Sequence, residues 1–385
     1  MINMKNFGRN FYTLLVIFLI GCNHNTRNSV DYAESGLPIL VGQEDFNSTF
    51  SYYNTTPESP DGSKIAYVKL LAETKENRSE LVSGEIWICD SDLSNHQKVV
   101  SLNPLQVHNG ARVQWLDNQS FAYEDDSIRV ANLSGQSLIK AVDGRMGHET
   151  HSGKILYAAN AEKTNYSTIY EYDISKQQVS ELGDVMDFTD LVNHFDTTDF
   201  IEPEKWRILH LQYNPGGSKI AFRLDVGPKN EKFKYLVTMD INSENVHYFG
   251  PKPMHFSWYD NESIMAHDNQ IDDGWANDKS ARRWNQQGKV LETLAGPGNH
   301  LGVSFDRKLY ASESWYGTTP VIISVFKKGQ SNAYWKDTVS LDAHTTWTLG
   351  HHTNPSFSRD GKRVYYNKCG APGKVQAYMA VLPKN

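Results

Sequence analysis

The sequence has few cysteines: three in 385 residues, with no Cys-x-x-Cys pair. That removes the usual zinc ribbons and dithiol redox centres. There is no Gly-rich phosphate loop and no Gly-x-Ser-x-Gly elbow, so nucleotide-dependent and serine-hydrolase chemistry lose their usual carriers. No basic excess exists either. The formal net charge of −7 argues against a nucleic-acid partner. An anionic ligand would therefore have to be held by a local cluster of cations. Apolar runs are short, and the longest, Leu14-Leu15-Val16-Ile17-Phe18-Leu19-Ile20, is too short to span a bilayer.

That run instead sits where a signal peptide places its hydrophobic segment, behind Lys5 and Arg9. Leu19-Ile20-Gly21-Cys22 looks like a bacterial lipobox. Residues 1–22 thus read as a lipoprotein signal peptide: cleavage before Cys22 and acylation of its thiol are expected to leave the mature chain anchored in the cell envelope by its lipid. With Cys22 assigned, Cys89 and Cys369 can form one disulfide in an oxidising compartment or remain two free thiols on separate strands. Residues 23–45 are polar and without period. They form a tether, apart from the isolated apolar patch Leu37-Pro38-Ile39-Leu40-Val41.

What the chain has in abundance is repetition. Phe357-Ser358-Arg359-Asp360-Gly361 followed by Val364-Tyr365-Tyr366 combines a tight hairpin turn with a strand of apolar residues. Related units begin at Ser59-Pro60-Asp61-Gly62, Trp115-Leu116-Asp117-Asn118, His151-Ser152-Gly153, Asn214-Pro215-Gly216-Gly217, Trp258-Tyr259-Asp260-Asn261 and Ser304-Phe305-Asp306. Seven copies over roughly 340 residues give about 50 residues each, the scale of a propeller blade. The expected fold is all-β: a seven-bladed β-propeller of four-stranded antiparallel blades over residues 46–385. Blade seven is one strand short at the C-terminus, and Ile39-Leu40-Val41 is expected to supply its missing outer strand.

A histidine stands shortly before most of these turns: His108, His148, His210, His255, His300 and His352. Blade one has Thr56-Pro57-Glu58 there instead. Innermost strands line the channel of a propeller, so these side chains are expected at one of its mouths. The acidic pairs Asp125-Asp126 and Asp272-Asp273 lie among turn residues and are assigned as loop charges.

The Ser-Pro-Asp-Gly turn followed by Lys64-Ile65-Ala66-Tyr67 resembles that of TolB-like propellers. The histidines narrow the likeness to the oligogalacturonate lyases, seven-bladed propellers that cleave uronate chains by β-elimination with Mn²⁺. Their metal-holding Gln-x-x-His-x-His motif corresponds here to Leu349-Gly350-His351-His352-Thr353-Asn354, where Leu349 replaces the Gln and Asn354 the second His. The resemblance implies His300, His352 and Asn354 as a site for Mn²⁺ or another divalent cation. Propeller lyases that cut the algal polysaccharide ulvan use His and Tyr with an Arg on the carboxylate, and His210, Tyr213, Arg223, His255 and His300 suit that arrangement as well.

The chemistry needs a neutralised carboxylate, a base for the C5 proton and an acid for O4. His210 and His255 are assigned as base and acid, and Arg223 as the carboxylate partner. His108, Tyr213, Trp258, Trp315 and Tyr316 are assigned to substrate binding. The expected activity is a polysaccharide lyase acting, as a monomer, on an acidic uronate-containing glycan. The alternative is a non-catalytic TolB-like propeller of the envelope that binds a glycan or a protein partner.

Overall fold

A computed structural model describes residues 36–71, 81–106, 111–159, 166–190, 206–226, 233–251, 254–267, 280–297, 299–314, 320–340, 352–369 and 374–383. They form seven antiparallel sheets, six of four strands and one of three. The three-stranded blade, Gln114–Trp115, Ser120–Glu124 and Ile128–Asn132, has isolated bridges from Ile128 to Val142 and Ala131 to Ser137 in place of a fourth strand.

The turn chemistry explains why the blades repeat. In Ser59-Pro60-Asp61-Gly62 the Ser59 hydroxyl donates to Asp61 at 2.7 Å, and Asp61 accepts from the Ser63 amide at 3.0 Å. Ser304 with Asp306, and Ser358 with Asp360, repeat the first bond at 2.8 Å. Blade four reaches the same end with Asn214, whose Oδ1 accepts from the Ser218 and Lys219 amides. Gly62, Gly217 and Gly361 then take positive φ angles near 70°, a conformation that favours glycine.

Closure uses both ends of the chain. Pro38–Leu40 pairs with Val375–Val381, aligning Pro38 with Ala380 and Leu40 with Tyr378, and becomes the outer strand of blade seven. Val41 is fully buried beside Phe50, Tyr365 and Met379. A second clasp joins blade one to blade seven. Glu58 pairs with Arg363 at 2.8 Å, accepts from the Arg359 amide at 2.8 Å and receives the Tyr365 hydroxyl. Thr56-Pro57-Glu58 thus serves the seam between the first and last blades. A chain starting at Gln43 should melt roughly 5–10 °C below one starting at Tyr32, since it loses a buried valine and exposes a paired edge. Thermal scanning of the two checks this, and equal melting points would show that the closing strand adds nothing.

Cys89 is a free, buried thiol whose pKa burial pushes up to about 12. The side chain of Cys369 and the whole of Cys22 lie outside the described residues.

Candidate active site

The inner strands bring distant residues to one mouth of the channel. A cavity of about 230 Å³ is lined by Tyr52, Arg112, Arg145, Leu209, His210, Arg223 and His255. Local backbone irregularity aims several of the functional side chains. His210, His255, Arg112 and Asn354 all have φ between 44° and 57°. Register shifts interrupt strand pairing between Leu209 and Gln212, and between Met254 and Ser257. An extra residue in left-handed geometry turns the side chain out of the ladder and costs about 1–3 kcal/mol where the residue is not glycine. Spending that strain at the same place in four blades favours a shared purpose.

Five of the six histidines in the series meet around two tyrosines. The His148 and His210 rings are 5.3 Å apart, His255 and His300 4.2 Å, and His300 and His352 4.6 Å. Tyr53 is fully buried among them, its ring 4.9–6.5 Å from His148, His210, His255 and His300. Tyr52 stacks on His210 at 5.4 Å. The tyrosines enter because residues Thr49 to Glu58 span only Val68 to Ile65 on the neighbouring strand, and the surplus bulges inward.

Hydrogen bonds fix one tautomer chain. A carbonyl can only accept, so the 3.4 Å contact between His148 Nδ1 and the Tyr53 carbonyl places a proton on Nδ1. His148 Nε2 is then the acceptor in its 3.1 Å bond with His210 Nδ1. That leaves the lone pair of His210 on Nε2. Both rings are held neutral. Burial first, then Arg112 for His148 and Arg223 for His210, keep their pKa values well below the ordinary 6.5. The unfolded chain therefore binds protons more readily below pH 6.5, so stability is present above that pH and lost as pH falls. The melting temperature should drop between pH 7.5 and 5.5, and less in His148→Asn than in the wild type. An identical drop in the two proteins would contradict this.

Three guanidiniums share the mouth. Arg223 is braced by Asp225, with Nε donating at 2.7 Å and Nη2 at 3.2 Å. Arg112 donates from Nη1 to the Met146 carbonyl and faces Glu124 at 3.9 Å. Arg145 Nε is buried without a hydrogen-bond partner among the described residues. Asp225 and Glu124 offset part of this buried positive charge, and an anion bound at the mouth would offset more of it.

Around His300 lies a second cluster. Ligand atoms of His300, Glu313 and His352 fall within 4.8 Å of one another, and all three residues are buried. By spacing alone this is a metal triad. The Glu313 carboxylate, however, is already committed. It accepts from Asn299 Nδ2 at 2.6 Å, from the Thr353 amide at 3.0 Å, from the Thr353 hydroxyl and from His300 Nδ1. Its lone pairs are filled, so it orients His300 and makes Nε2 the lone-pair nitrogen. Asn354 Oδ1 is buried without a hydrogen-bond partner among the described residues, which suits an oxygen ligand. The imidazoles of His300 and His352 are the nitrogen donors this cluster offers, a ligand type suited to a first-row divalent cation.

Of the residues assigned from sequence, His210, His255 and Arg223 line the mouth cavity, and His300 and His352 join the same ring cluster. Tyr213 and Trp258 do not belong to this group. Each follows its blade's histidine by three residues, about 10 Å along a strand, and lines a cavity at the opposite mouth. The Tyr213 hydroxyl donates to Glu171 at 2.9 Å, and the Trp258 indole to the Gln212 carbonyl at 3.3 Å. His108, Trp315 and Tyr316 lie outside the described residues. Sequence reasoning missed Tyr52, Tyr53, Arg112, Arg145 and Glu313. Arg112 and Arg145 carried a usable signal, since each stands at the start of an inner strand as the histidines do.

No known family and no curated protein matches the sequence. Solved structures do match in shape. An oligogalacturonate lyase in complex with manganese superposes with a TM-score of 0.62 at 13% identity, covering 90% of this chain and 93% of that one. The oligogalacturonate lyase of Vibrio parahaemolyticus gives 0.60 at 13% identity, covering 90% and 94%. The propeller domain of the Trilobed protease from Pyrococcus furiosus gives 0.52 at 13% identity, covering 86% and 94%. Likeness at this identity establishes the fold, a seven-bladed propeller, and leaves the activity to be argued from the residues.

Proposed function

We propose that this protein is a polysaccharide lyase, anchored by lipid in the bacterial cell envelope, that cleaves an acidic uronate-containing glycan by β-elimination. The observation that carries this reading is a mouth cavity lined by His210 and His255 with Arg112, Arg145 and Arg223, and backed by the buried rings of His148, His300 and His352. Arg112, Arg145 and Arg223 receive the uronate carboxylate and draw charge from C5 as its proton leaves. His210 Nε2 takes that proton. Its depressed basicity rises once the carboxylate offsets the guanidiniums, so substrate binding itself prepares the base. The C5–H and C4–O4 bonds break, a C4=C5 double bond forms, and O4 leaves with a proton. Two groups can supply it: His255 in its protonated form, and the Tyr52 hydroxyl, which burial keeps protonated. Comparing His255→Ala with Tyr52→Phe separates them.

Mn²⁺ or another divalent cation would be held by His300, His352 and Asn354, where it would add charge stabilisation for the carboxylate. A manganese-bound oligogalacturonate lyase of similar fold and the close approach of His300 and His352 support a metal here. The test is ultraviolet absorbance of the unsaturated uronate product over pectin oligomers, alginate, ulvan and glycosaminoglycans, with and without Mn²⁺. Product from at least one polymer is expected. No product, with glycan binding retained, would make the protein a binding propeller instead.

A further inference from the structure

The mouth opposite the histidines holds a larger cavity, about 420 Å³, within the range of small-molecule sites. Among the described residues, none that lines the histidine cavity lines this one. This second cavity plays no part in the chemistry above, yet its lining is not that of an inert channel. Gln114 Oε1 and Ser356 Oγ are buried without hydrogen-bond partners among the described residues, and both residues are 2% exposed. Unsatisfied buried acceptors and hydroxyls each cost about 1–3 kcal/mol, so a protein that keeps two in one cavity has a use for them. Gln114 cannot turn away, because its Nε2 donates to the Gly147 carbonyl. Glu149 lines the same space. Its carboxyl accepts from the Thr56 amide at 3.3 Å, burial pushes its pKa up, and Arg359 and Arg307 pull it back down. Arg359 lies over the Phe305 ring at 4.5 Å, and the buried Trp258 is among the residues that line the cavity.

We propose that this cavity is a second ligand site, for a small hydroxylated carboxylate of the sugar-acid class. Arg307 and Arg359 offer donors matched to one carboxylate. Gln114, Ser356 and Glu149 offer acceptors and a hydroxyl suited to neutral OH groups. A single buried carboxyl against two guanidiniums favours a monoanion over phosphate, whose second charge would meet Glu149. The site needs no lyase activity at the other mouth and stands independently of it.

Isothermal titration with D-galacturonate and D-glucuronate, against D-galactose and inorganic phosphate, tests this in two backgrounds. In Arg112→Ala/Arg223→Ala, with the histidine mouth disabled, a sugar acid should still bind at one site per chain. Adding Arg307→Gln should weaken that binding about tenfold or more. Ser356→Val, which fills the cavity without touching a cation, should weaken it as well at an unchanged melting temperature. The proposal is overturned if neither sugar acid binds in the disabled background, if both cavity variants bind as tightly as their parent, or if galactose or phosphate binds equally well. A missing lyase product would leave all of these outcomes untouched.

Discussion

His210→Asn should lower kcat for uronate-product formation by about 10²- to 10⁴-fold while moving KM little. Asparagine is the informative replacement because residue 210 has φ of 57°, and asparagine tolerates left-handed backbone better than alanine does. Its melting temperature should stay close to that of the wild type, so lost activity cannot be put down to lost fold. Asparagine keeps a polar group beside His148 Nε2 but has no titrating nitrogen to take the C5 proton. His148→Asn should lose less, because that ring only fixes the tautomer of its neighbour. A His210→Asn enzyme that retains most of its turnover would remove the imidazole from the proton transfer and leave the guanidiniums with the tyrosines.

The fold was largely legible because its cause is local. A Ser or Asn that ties its own turn, followed by a strand, is written into a few consecutive residues and recurs in several blades. Even the closing strand could be inferred, since an isolated apolar patch before blade one matched a missing strand in blade seven. The histidines were legible because each stands shortly before its unit's turn, and His210, His255 and His300 follow one another at equal intervals of 45 residues. What was not legible depends on register and bulging. Tyr213 and Trp258, assigned to substrate binding, line a different cavity from the histidines because three residues of strand carry a side chain from one end of the channel toward the other. Tyr52 and Tyr53 enter through surplus backbone in blade one, which no periodicity announces. Glu313 is an intermediate case. Leu301 pairs with Ser312, Gly302 with Ala311 and Val303 with Tyr310. Continuing that register backwards from the Asp306 turn puts Glu313 opposite His300, so a hairpin argument from the sequence would have found it.

Glu313→Gln should reduce Mn²⁺ affinity about 10- to 100-fold, the usual consequence of losing a carboxylate that orients a metal-bound imidazole. The physical reason lies in its partners. Asn299 Nδ2, the Thr353 amide and hydroxyl, and His300 Nδ1 all donate to this one carboxylate. A glutamine has only one acceptor oxygen, so its NH₂ group must face a donor and at least one partner turns away. Since His300 is buried and its tautomer depends on that bond, the lone pair on Nε2 is no longer guaranteed. Titration calorimetry of metal-free protein measures the affinity. The visible spectrum of a Co²⁺-substituted protein distinguishes the roles: weaker binding with unchanged band positions marks an orienting carboxylate, whereas shifted bands would mean that Glu313 is itself a ligand. Unchanged affinity would show that His300 needs no such support. Glu313→Ala should be worse on both counts, because it leaves several buried donors without an acceptor and lowers stability as well as affinity.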